Sequence, residues 1–345
     1  MEKGKDLKNK FPSELRFDVV SGDWVLIATG RARRPEAFAI EKKRKIKISR
    51  KECPFCHIDS QEKPILIFSR GKKIEKAANW TTIVIPNKYP ALIPDKRIRE
   101  KREGPFYHIL SGVGYCELVV SRDHKKTFPD FERWQIKEFF DAYQYRYLDL
   151  MKRSFVRYIS IFHNHGAEAG ASQSHPHSQI ITTPLVDVDL KKALYHSKRY
   201  FRKNKKCLYC QLNNWERKVK KRIVFENKEF LALCPFASKA AFEVIISPKF
   251  HSPYFERITE EQKLSLAEAF QVVMKKLKSA LKDPPYNFYL HTAPCDGQNY
   301  PFYHWHWTIL PKTSIMAGFE LGTRIEISTI QPEKAAEYLR KVPLN

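Results

Sequence analysis

Eight residues of metal-binding type recur in two sets along the chain. Each set contains a Cys-x-x-Cys pair, a histidine at the end of an apolar segment and a histidine from a His-x-His motif. The two histidines are 51 residues apart in the first set and 53 apart in the second. Four such ligands suit tetrahedral zinc and leave no open position, so each set predicts a structural zinc site. The first set is Cys53, Cys56, His124 and His175, and the second is Cys207, Cys210, His251 and His304.

A Cys-x-x-Cys pair has the alternative of being a redox couple or two buried thiols. A redox pair is expected in a thioredoxin-like setting of alternating strands and helix, which surrounds neither pair. Seven cysteines in 345 residues are too few for a disulfide scaffold. The pattern therefore favours metal ligands in a reducing compartment, and we expect the cytoplasm.

The segment GAEAGASQSHPHSQII contains the candidate for covalent chemistry. His177 follows His175 by two residues, so both side chains lie on one face of an extended chain, which Pro176 stiffens. A neutral imidazole can attack phosphorus and form a phosphoramidate, which passes its nucleotidyl group to a second acceptor. Gln179, two residues further on, can donate to a phosphoryl oxygen as charge develops. The spacing predicts His177 as nucleophile and Gln179 as its supporting amide.

The elements that must position these residues also occur twice. CELVVSRDH ends at His124 and FEVIISPKFH ends at His251, and each predicts a strand that stops at a histidine. A long amphipathic segment follows each strand, with apolar residues at steps of three and four from Ile136 to Leu150 and from Leu266 to Leu281. A further strand and a His-x-His motif complete each half. This shared order indicates an ancient duplication.

The duplication predicts an α+β fold. We expect each half to form one domain, an antiparallel sheet with a long packed helix. The polar, charged segment at 186–206 is interpreted as the linker, which divides the chain into domains 1–190 and 191–345. In the second half, Thr259 and Gln262 predict a capping box at the start of the helix.

Charge and hydropathy limit the classes of partner. The chain has 62 Lys and Arg against 38 Asp and Glu, a net charge of +24, which favours an anionic partner such as a nucleotide, a nucleic acid or an acidic surface. No apolar run approaches the ~18 residues that span a bilayer, and MEKGKDLKNKF lacks the apolar core of a signal peptide. No membrane association is expected. The common glycine-rich nucleotide cradles are absent from the sequence.

Taken together, these motifs resemble the histidine-triad superfamily, specifically the galactose-1-phosphate uridylyltransferase family with its ADP-glucose phosphorylase branch. The resemblance covers nearly the whole chain. The segments that carry it are SGDWVLIATGRARRP, CPFC, PNKYPAL, SRDHKKTFP, HNHGAEAGASQSHPHSQ, PKFH, YHWHWTILP and GFELGT. It implies two histidine-triad-like domains and a ping-pong reaction. In that reaction His177 attacks the α-phosphorus of a nucleoside diphosphate hexose, releases hexose 1-phosphate and holds the nucleoside monophosphate for a second hexose 1-phosphate or for phosphate.

The resemblance also implies the groups that bind substrate. Gln179 would contact the transferred phosphate, and Arg31 and Arg34 would act near the phosphates, from the same chain or from a partner subunit. The family is commonly a homodimer with composite sites, which we expect here. The residues implied for the nucleotide are Asn87, Asn164, Gly170 and Ser172, and those for the hexose are Gly318, Phe319 and Glu320.

Several positions depart from the uridylyltransferase pattern. Ser178 stands where those enzymes usually have glycine, and serine at this position resembles the phosphorylase branch more closely. The segment DPPYNFYLHTAP also resembles that branch more closely. Some uridylyltransferases bind iron in the second half through histidines that match His291, His304 and His306, whereas the cysteine pair here favours zinc. His306 takes the place of the nucleophile in the repeat, but Thr308 replaces the glutamine. We expect the second half to be catalytically silent.

The sequence thus predicts an enzyme that moves UMP between a UDP-hexose and a hexose 1-phosphate. The alternative within the fold is an ADP-glucose phosphorylase or a dinucleoside polyphosphate phosphorylase. A two-zinc RNA-binding protein is the alternative of another class, since KKRKIKISRK and RKVKKR could hold phosphates. Few stacking aromatics interrupt those runs, so nucleic acid is disfavoured as a partner.

Overall fold

The computed structural model describes residues 13–28 and 48–344. Arg31 and Arg34 lie outside the described residues. The strands are β1 Ser13–Phe17, β2 Trp24–Ala28, β3 Leu66–Ser69, β4 Lys72–Ile74, β5 Thr82–Pro86, β6 Glu100–Glu103, β7 Tyr107–Leu110, β8 Cys116–Ser121, β9 Tyr158–His165, β10 His177–Thr183, β11 Ile223–Glu226, β12 Phe230–Leu233, β13 Val244–Pro248, β14 Tyr286–His291, β15 His306–Pro311 and β16 Ile327–Ser328. The helices are α1 Arg133–Leu150, α2 Val188–Asn204, α3 Leu208–Val219, α4 Glu260–Leu281, α5 Gly318–Thr323 and α6 Pro332–Lys341.

Eleven strands form one antiparallel sheet in the order β11-β12-β13-β15-β14-β9-β10-β8-β5-β3-β4. Outward from the centre, β9, β10, β8, β5 and β3 of the first half correspond to β14, β15, β13, β12 and β11 of the second. The halves join where β9 pairs with β14. Pairing these two edges satisfies backbone groups that two separate sheets would leave open. The sequence predicted an antiparallel sheet for each half. In the structure the strands of both halves join into one antiparallel sheet.

The two long helices lie against one face of this sheet and contact each other. The apolar positions predicted for them are all buried, with at most 2% exposure. Thr259 and Gln262 form the predicted capping box at the start of α4. The Tyr143 hydroxyl of α1 donates a hydrogen bond to Oγ of Ser178 on β10. The helices therefore cover the face of β10 that carries Ser178. The predicted α+β architecture with two packed helices is confirmed.

The polar segment interpreted as a linker contains α2. Its N-cap, Asp187, accepts a hydrogen bond from the backbone N–H of Leu190 at 2.8 Å. The helix buries Leu190, Ala193 and Ser197, while basic residues occupy its last turn, where the helix dipole favours them. The segment interpreted as the linker is thus largely an amphipathic helix. The domain boundary at residue 190 stays a prediction.

Two smaller sheets complete the described fold. One has the order β1-β2-β16, with β16 parallel to β2, and the other is the β6-β7 hairpin. In the described ranges, no helix combines the length and apolar character needed to cross a bilayer.

Candidate functional site

The first predicted metal set converges on one point of the fold. The four potential ligand atoms of Cys53, Cys56, His124 and His175 lie within 4.8 Å of one another. Nδ1 of His124 is 3.2 Å from Sγ of Cys56 and 3.2 Å from Nδ1 of His175, which in turn is 3.4 Å from Sγ of Cys53. Zinc bonds of about 2.0 to 2.3 Å in a tetrahedron require edges of roughly 3.3 to 3.8 Å. The donor set therefore fits a zinc-sized ion.

Backbone carbonyls hold both histidine rings in the orientation that a metal needs. Nε2 of His175 lies 2.6 Å from the carbonyl oxygen of Ser121, and Nε2 of His124 lies 3.1 Å from that of Ile48. Because a carbonyl only accepts, each Nε2 carries the hydrogen and each Nδ1 presents a lone pair to the cysteines. Burial lowers the pKa of His175 to about 4, which favours its neutral, ligating form.

The second set repeats this geometry. The ligand atoms of Cys207, Cys210, His251 and His304 also lie within 4.8 Å of one another. Sγ of Cys210 is 3.5 Å from Nδ1 of His251 and 3.6 Å from Nδ1 of His304. Nε2 of His304 donates to the carbonyl of Pro248, three residues before His251, just as Nε2 of His175 donates three residues before His124. Both clusters could hold a metal ion.

The candidate nucleophile opens strand β10 directly after the first cluster. Nδ1 of His177 lies 2.9 Å from the carbonyl oxygen of His175, so Nδ1 carries the hydrogen and Nε2 keeps its lone pair. Burial lowers the pKa of His177, and the hydrogen bond to His175 only partly opposes this shift. The ring is therefore neutral near pH 7, as a nucleophile requires.

Strand alternation divides β10 between two environments. Ser178 faces the helices, where its Oγ lies 2.6 Å from the Tyr143 hydroxyl and 3.0 Å from Nδ1 of His163. His177 and Gln179 consequently face the opposite side. In the described part of the chain the Gln179 amide makes no hydrogen bond, so it is available to a ligand. Ser178, noted from the sequence as a departure, is a buried member of the core beneath the candidate site.

An aromatic ring that sequence reasoning missed connects the first cluster to His177. Phe55 lies between the two cysteines of CPFC, is 5% exposed, and has its ring centroid 5.0 Å from that of His177 and 5.6 Å from that of His175. Tyr209, between the cysteines of the second pair, lies against the corresponding histidines, with its ring centroid 6.0 Å from that of His304 and 5.3 Å from that of His306. The recurrence of an aromatic residue at this position was the available sequence signal.

The residues implied for the nucleotide lie at several places around β10. Asn164 is on β9, where its Oδ1 accepts from Nδ2 of Asn287 at 2.7 Å. Gly170 ends the short 3-10 turn Ala167–Ala169 with φ 80°, a conformation that glycine adopts without strain. Ser172 follows it and is exposed. Asn87 follows β5, and its side chain accepts from the backbone N–H of Tyr89.

The residues implied for the hexose are on a separate element. Gly318, Phe319 and Glu320 belong to α5, a short exposed helix after β15. Glu320 caps this helix by accepting from the backbone N–H of Ala317. Within the described residues, no hydrogen bond joins α5 to His177 or Gln179. Among the described residues, one chain therefore brings together the first cluster, His177, Gln179 and Asn164, while α5 has no hydrogen bond to His177 or Gln179.

The second half carries a histidine, His306, at the place that corresponds to His177. His306 opens β15 and directs Nδ1 to the carbonyl of His304 at 3.3 Å, as His177 does to His175. However, His291 lies opposite His306 in the sheet, and the two rings stack with centroids 4.7 Å apart. A second ring occupies the space beside this histidine. The silent role expected for His306 stays a prediction.

Comparison with known proteins identifies the family. The pattern of the galactose-1-phosphate uridyl transferase N-terminal domain matches residues 5–187, and that of the C-terminal domain matches residues 193–345. The chain belongs to the galactose-1-phosphate uridylyltransferase family. Its duplicated clusters and shared sheet are therefore features of a member of this family of nucleotidyltransferases.

Relatives of this uridylyltransferase family include two named activities. The chain is 32% identical to an ADP-glucose phosphorylase of Arabidopsis thaliana, over 99% of this chain and 96% of that protein. It is 30% identical to a galactose-1-phosphate uridylyltransferase of Thermotoga maritima, over 95% and 98% of the two chains. The crystal structure of an ADP-glucose phosphorylase from Arabidopsis thaliana with bound ADP-glucose superposes with a TM-score of 0.82, 30% identity and coverage of 96% and 100%.

Proposed function

We propose that this chain transfers a nucleoside monophosphate between a nucleotide sugar and a hexose 1-phosphate through a nucleotidyl group held on His177. The observation that carries the proposal is the tautomer of His177, whose Nδ1 donates to the His175 carbonyl while Nε2 keeps a lone pair. Gln179 and Asn164 supply amides on the same face of the sheet. The metal ligands and binding residues named above are part of this proposal, with Arg31, Arg34 and α5 completing the site in a homodimer in the cytoplasm.

In the first step the lone pair of Nε2 forms a bond to the α-phosphorus. The bond from that phosphorus to the bridging oxygen breaks, and the hexose 1-phosphate leaves with the electron pair. The imidazole gains positive charge, which the carbonyl of His175 stabilises through the Nδ1 hydrogen. Gln179 donates to a non-bridging oxygen as charge builds there. In the second step a phosphate oxygen of the acceptor attacks phosphorus and returns the electron pair to Nε2.

We assign zinc to both Cys2His2 clusters. Zinc there would supply structural cross-linking of the loops, because four protein ligands leave no position for substrate. Residues 53–56 and His175 would then be held together, and with them Phe55 and the start of β10. The cluster thereby positions His177 without taking part in bond changes.

The donor nucleotide has two candidates. A UDP-hexose with a hexose 1-phosphate acceptor is the first, consistent with the uridylyltransferase relatives. ADP-glucose with a phosphate acceptor is the second, and the 32% identity to an ADP-glucose phosphorylase and the presence of Ser178 favour it. Dinucleoside polyphosphates are a further substrate class for the phosphorylase alternative.

Intact-mass spectrometry tests the proposal directly. The purified protein is incubated with UDP-glucose or ADP-glucose in the absence of acceptor and weighed. A uridylyl adduct supports the transferase, and an adenylyl adduct supports the phosphorylase. If neither nucleotide sugar leaves an adduct, the covalent mechanism is wrong. Salt-sensitive RNA binding without adduct formation would instead favour the RNA-binding alternative.

Replacing Phe55 with leucine is expected to slow adduct formation about tenfold, because small misplacement of a reacting group is costly. Leucine keeps most of the apolar volume, so the free energy of unfolding should fall by less than about 1.5 kcal/mol. Metal content should not change. Phe68→Leu is the matched control, since Phe68 is 3% exposed but contacts Tyr145 of α1 on the other face of the sheet. Equal rates for the two variants would contradict a positioning role for Phe55.

A further inference from the structure

A row of side chains crosses the sheet at the seam between the two halves. Strands β10 and β9 are antiparallel, and Ser178 of β10 pairs with His163 of β9. The preceding residue of β10, His177, therefore lies opposite the following residue of β9, Asn164. On the other side, Asn164 pairs with Asn287 of β14. Residues directly opposite in antiparallel strands have side chains on the same face, with Cβ atoms about 4.5 to 5.5 Å apart. His177, Asn164 and Asn287 therefore form a row on the face that carries the proposed nucleophile.

The hydrogen bonds of Asn287 determine the orientation of both amides. Nδ2 of Asn287 lies 2.8 Å from the carbonyl oxygen of Ala169 and 2.7 Å from Oδ1 of Asn164. A backbone carbonyl only accepts, so the atom of Asn287 that faces Ala169 must be the amide nitrogen. Its second hydrogen goes to Asn164, which must present its oxygen to that hydrogen. Nδ2 of Asn164, with two hydrogens, is thereby directed away from Asn287.

The amide nitrogen of Asn164 is available to a ligand beside His177. Asn164 is half-buried, and in the described part of the chain its Nδ2 has no hydrogen-bond partner. Two N–H donors next to the nucleophile select a hydrogen-bond acceptor on the ligand. The phosphoryl, ribose and base oxygens or ring nitrogens of a nucleotide are such acceptors. A ligand that offered a donor at this position would meet two donors and be rejected.

We infer that Asn287, a residue of the second half, orients Asn164 so that its amide donates to the nucleotide bound beside His177. The inference rests on the proposed function. Asn287 also binds the Ala169 carbonyl, and so ties the turn that ends at Gly170 to the same row. The second half thus contributes a positioning residue to the site of the first, although its own histidine, His306, is expected to be silent.

An aspartate at position 287 would reverse this arrangement without changing its size. Its carboxylate has no hydrogen to donate to Asn164 or to the carbonyl of Ala169. Asn164 would rotate its amide to donate to the new carboxylate, and its oxygen would then face the nucleotide. Asn164→Asp also places an oxygen against the nucleotide. Asn287 still donates to one carboxylate oxygen of the new side chain, and the second carboxylate oxygen faces the nucleotide. In both variants an oxygen of residue 164, which only accepts hydrogen bonds, faces an acceptor atom of the nucleotide.

The test measures steady-state kinetics on the wild type, Asn287→Asp, Asn164→Asp, Asn164→Ala and the double variant that combines Asn287→Asp with Asn164→Ala, with whichever nucleotide sugar forms the adduct. Each single variant is expected to raise KM for the nucleotide sugar by about 10- to 30-fold, with kcat changed less than about threefold. The double variant should lose no more than about twofold beyond Asn164→Ala alone, because Asn287 acts on the nucleotide only through the amide of Asn164.

Asn227→Asp is the matched control. Asn227 is also half-buried, and its Nδ2 likewise donates twice, to the carbonyl of Ser265 at 2.8 Å and to Glu268 at 3.0 Å. Its substitution should lower the melting temperature and leave KM unchanged. A wild type that forms no adduct overturns the proposed function. A wild type that forms one, with KM unchanged in Asn287→Asp or with additive losses in the double variant, overturns this inference alone.

Discussion

Replacement of His177 with alanine is expected to abolish the nucleotidyl adduct and to lower kcat/KM by on the order of 10⁴-fold or more. The imidazole is the group that bonds to phosphorus in the proposed mechanism, and alanine offers no electron pair in its place. Burial lowers the pKa of His177 and its Nδ1 is held by a carbonyl, so the proposed mechanism assigns the attack to one defined atom, Nε2.

His306→Ala is the control for this experiment. His306 has the same place in the second half and the same backbone contact, to the carbonyl of His304. It is equally buried, so its removal leaves a cavity of similar size and a comparable loss of stability. The adduct should form at the wild-type rate in this variant. An adduct that survives His177→Ala, or that is lost equally in His306→Ala, would contradict the assignment of His177 as nucleophile.

Replacement of Cys53 with serine is expected to remove one metal ion per chain and to reduce the yield of folded protein severely. Binding of structural zinc provides about 10 to 16 kcal/mol of apparent folding free energy in small peptides, more than most single interactions. Cys53 is fully buried within a cluster of apolar side chains that covers β3, β5 and β8. Losing the ion would therefore release the packing around Phe55 and the strand that begins with His177.

The measurements are metal content by elemental analysis, soluble yield and the free energy of unfolding in urea. Wild-type protein should contain two zinc ions per chain and Cys53→Ser one. Cys295→Ser is the control, because Cys295 is half-buried and belongs to neither cluster. It should keep both ions and near-normal stability. Normal stability of Cys53→Ser with only its rate reduced would mean that the first cluster is not structural.

Several features of the site could be predicted from the sequence because they depend on local rules or on repetition. The eight residues of the two clusters were identifiable as candidate metal ligands because the same residue types recur at nearly the same spacing in both halves. The faces of α1 and α4 followed from the period of their apolar residues. His177 and Gln179 share a face of β10 because strand side chains alternate. The resemblance of the motifs to a known family then indicated what this face does.

Other features depended on contacts between distant parts of the chain. Asn287 reaches Asn164 across 123 residues, and Phe55 lies against His177, which is 122 positions further along the chain. Strand β9 pairs with β14, and this pairing brings Asn287 next to Asn164. The same pairing joins the two predicted sheets into one. A periodic pattern reports which side of a segment is buried, but not which distant segment covers it. The sequence alone therefore determined the family of this protein, its two candidate metal-ligand sets and the elements that carry them. The tertiary structure decided that residues of both halves meet beside His177, because sheet edges and buried polar groups are satisfied only by partners far away in the chain.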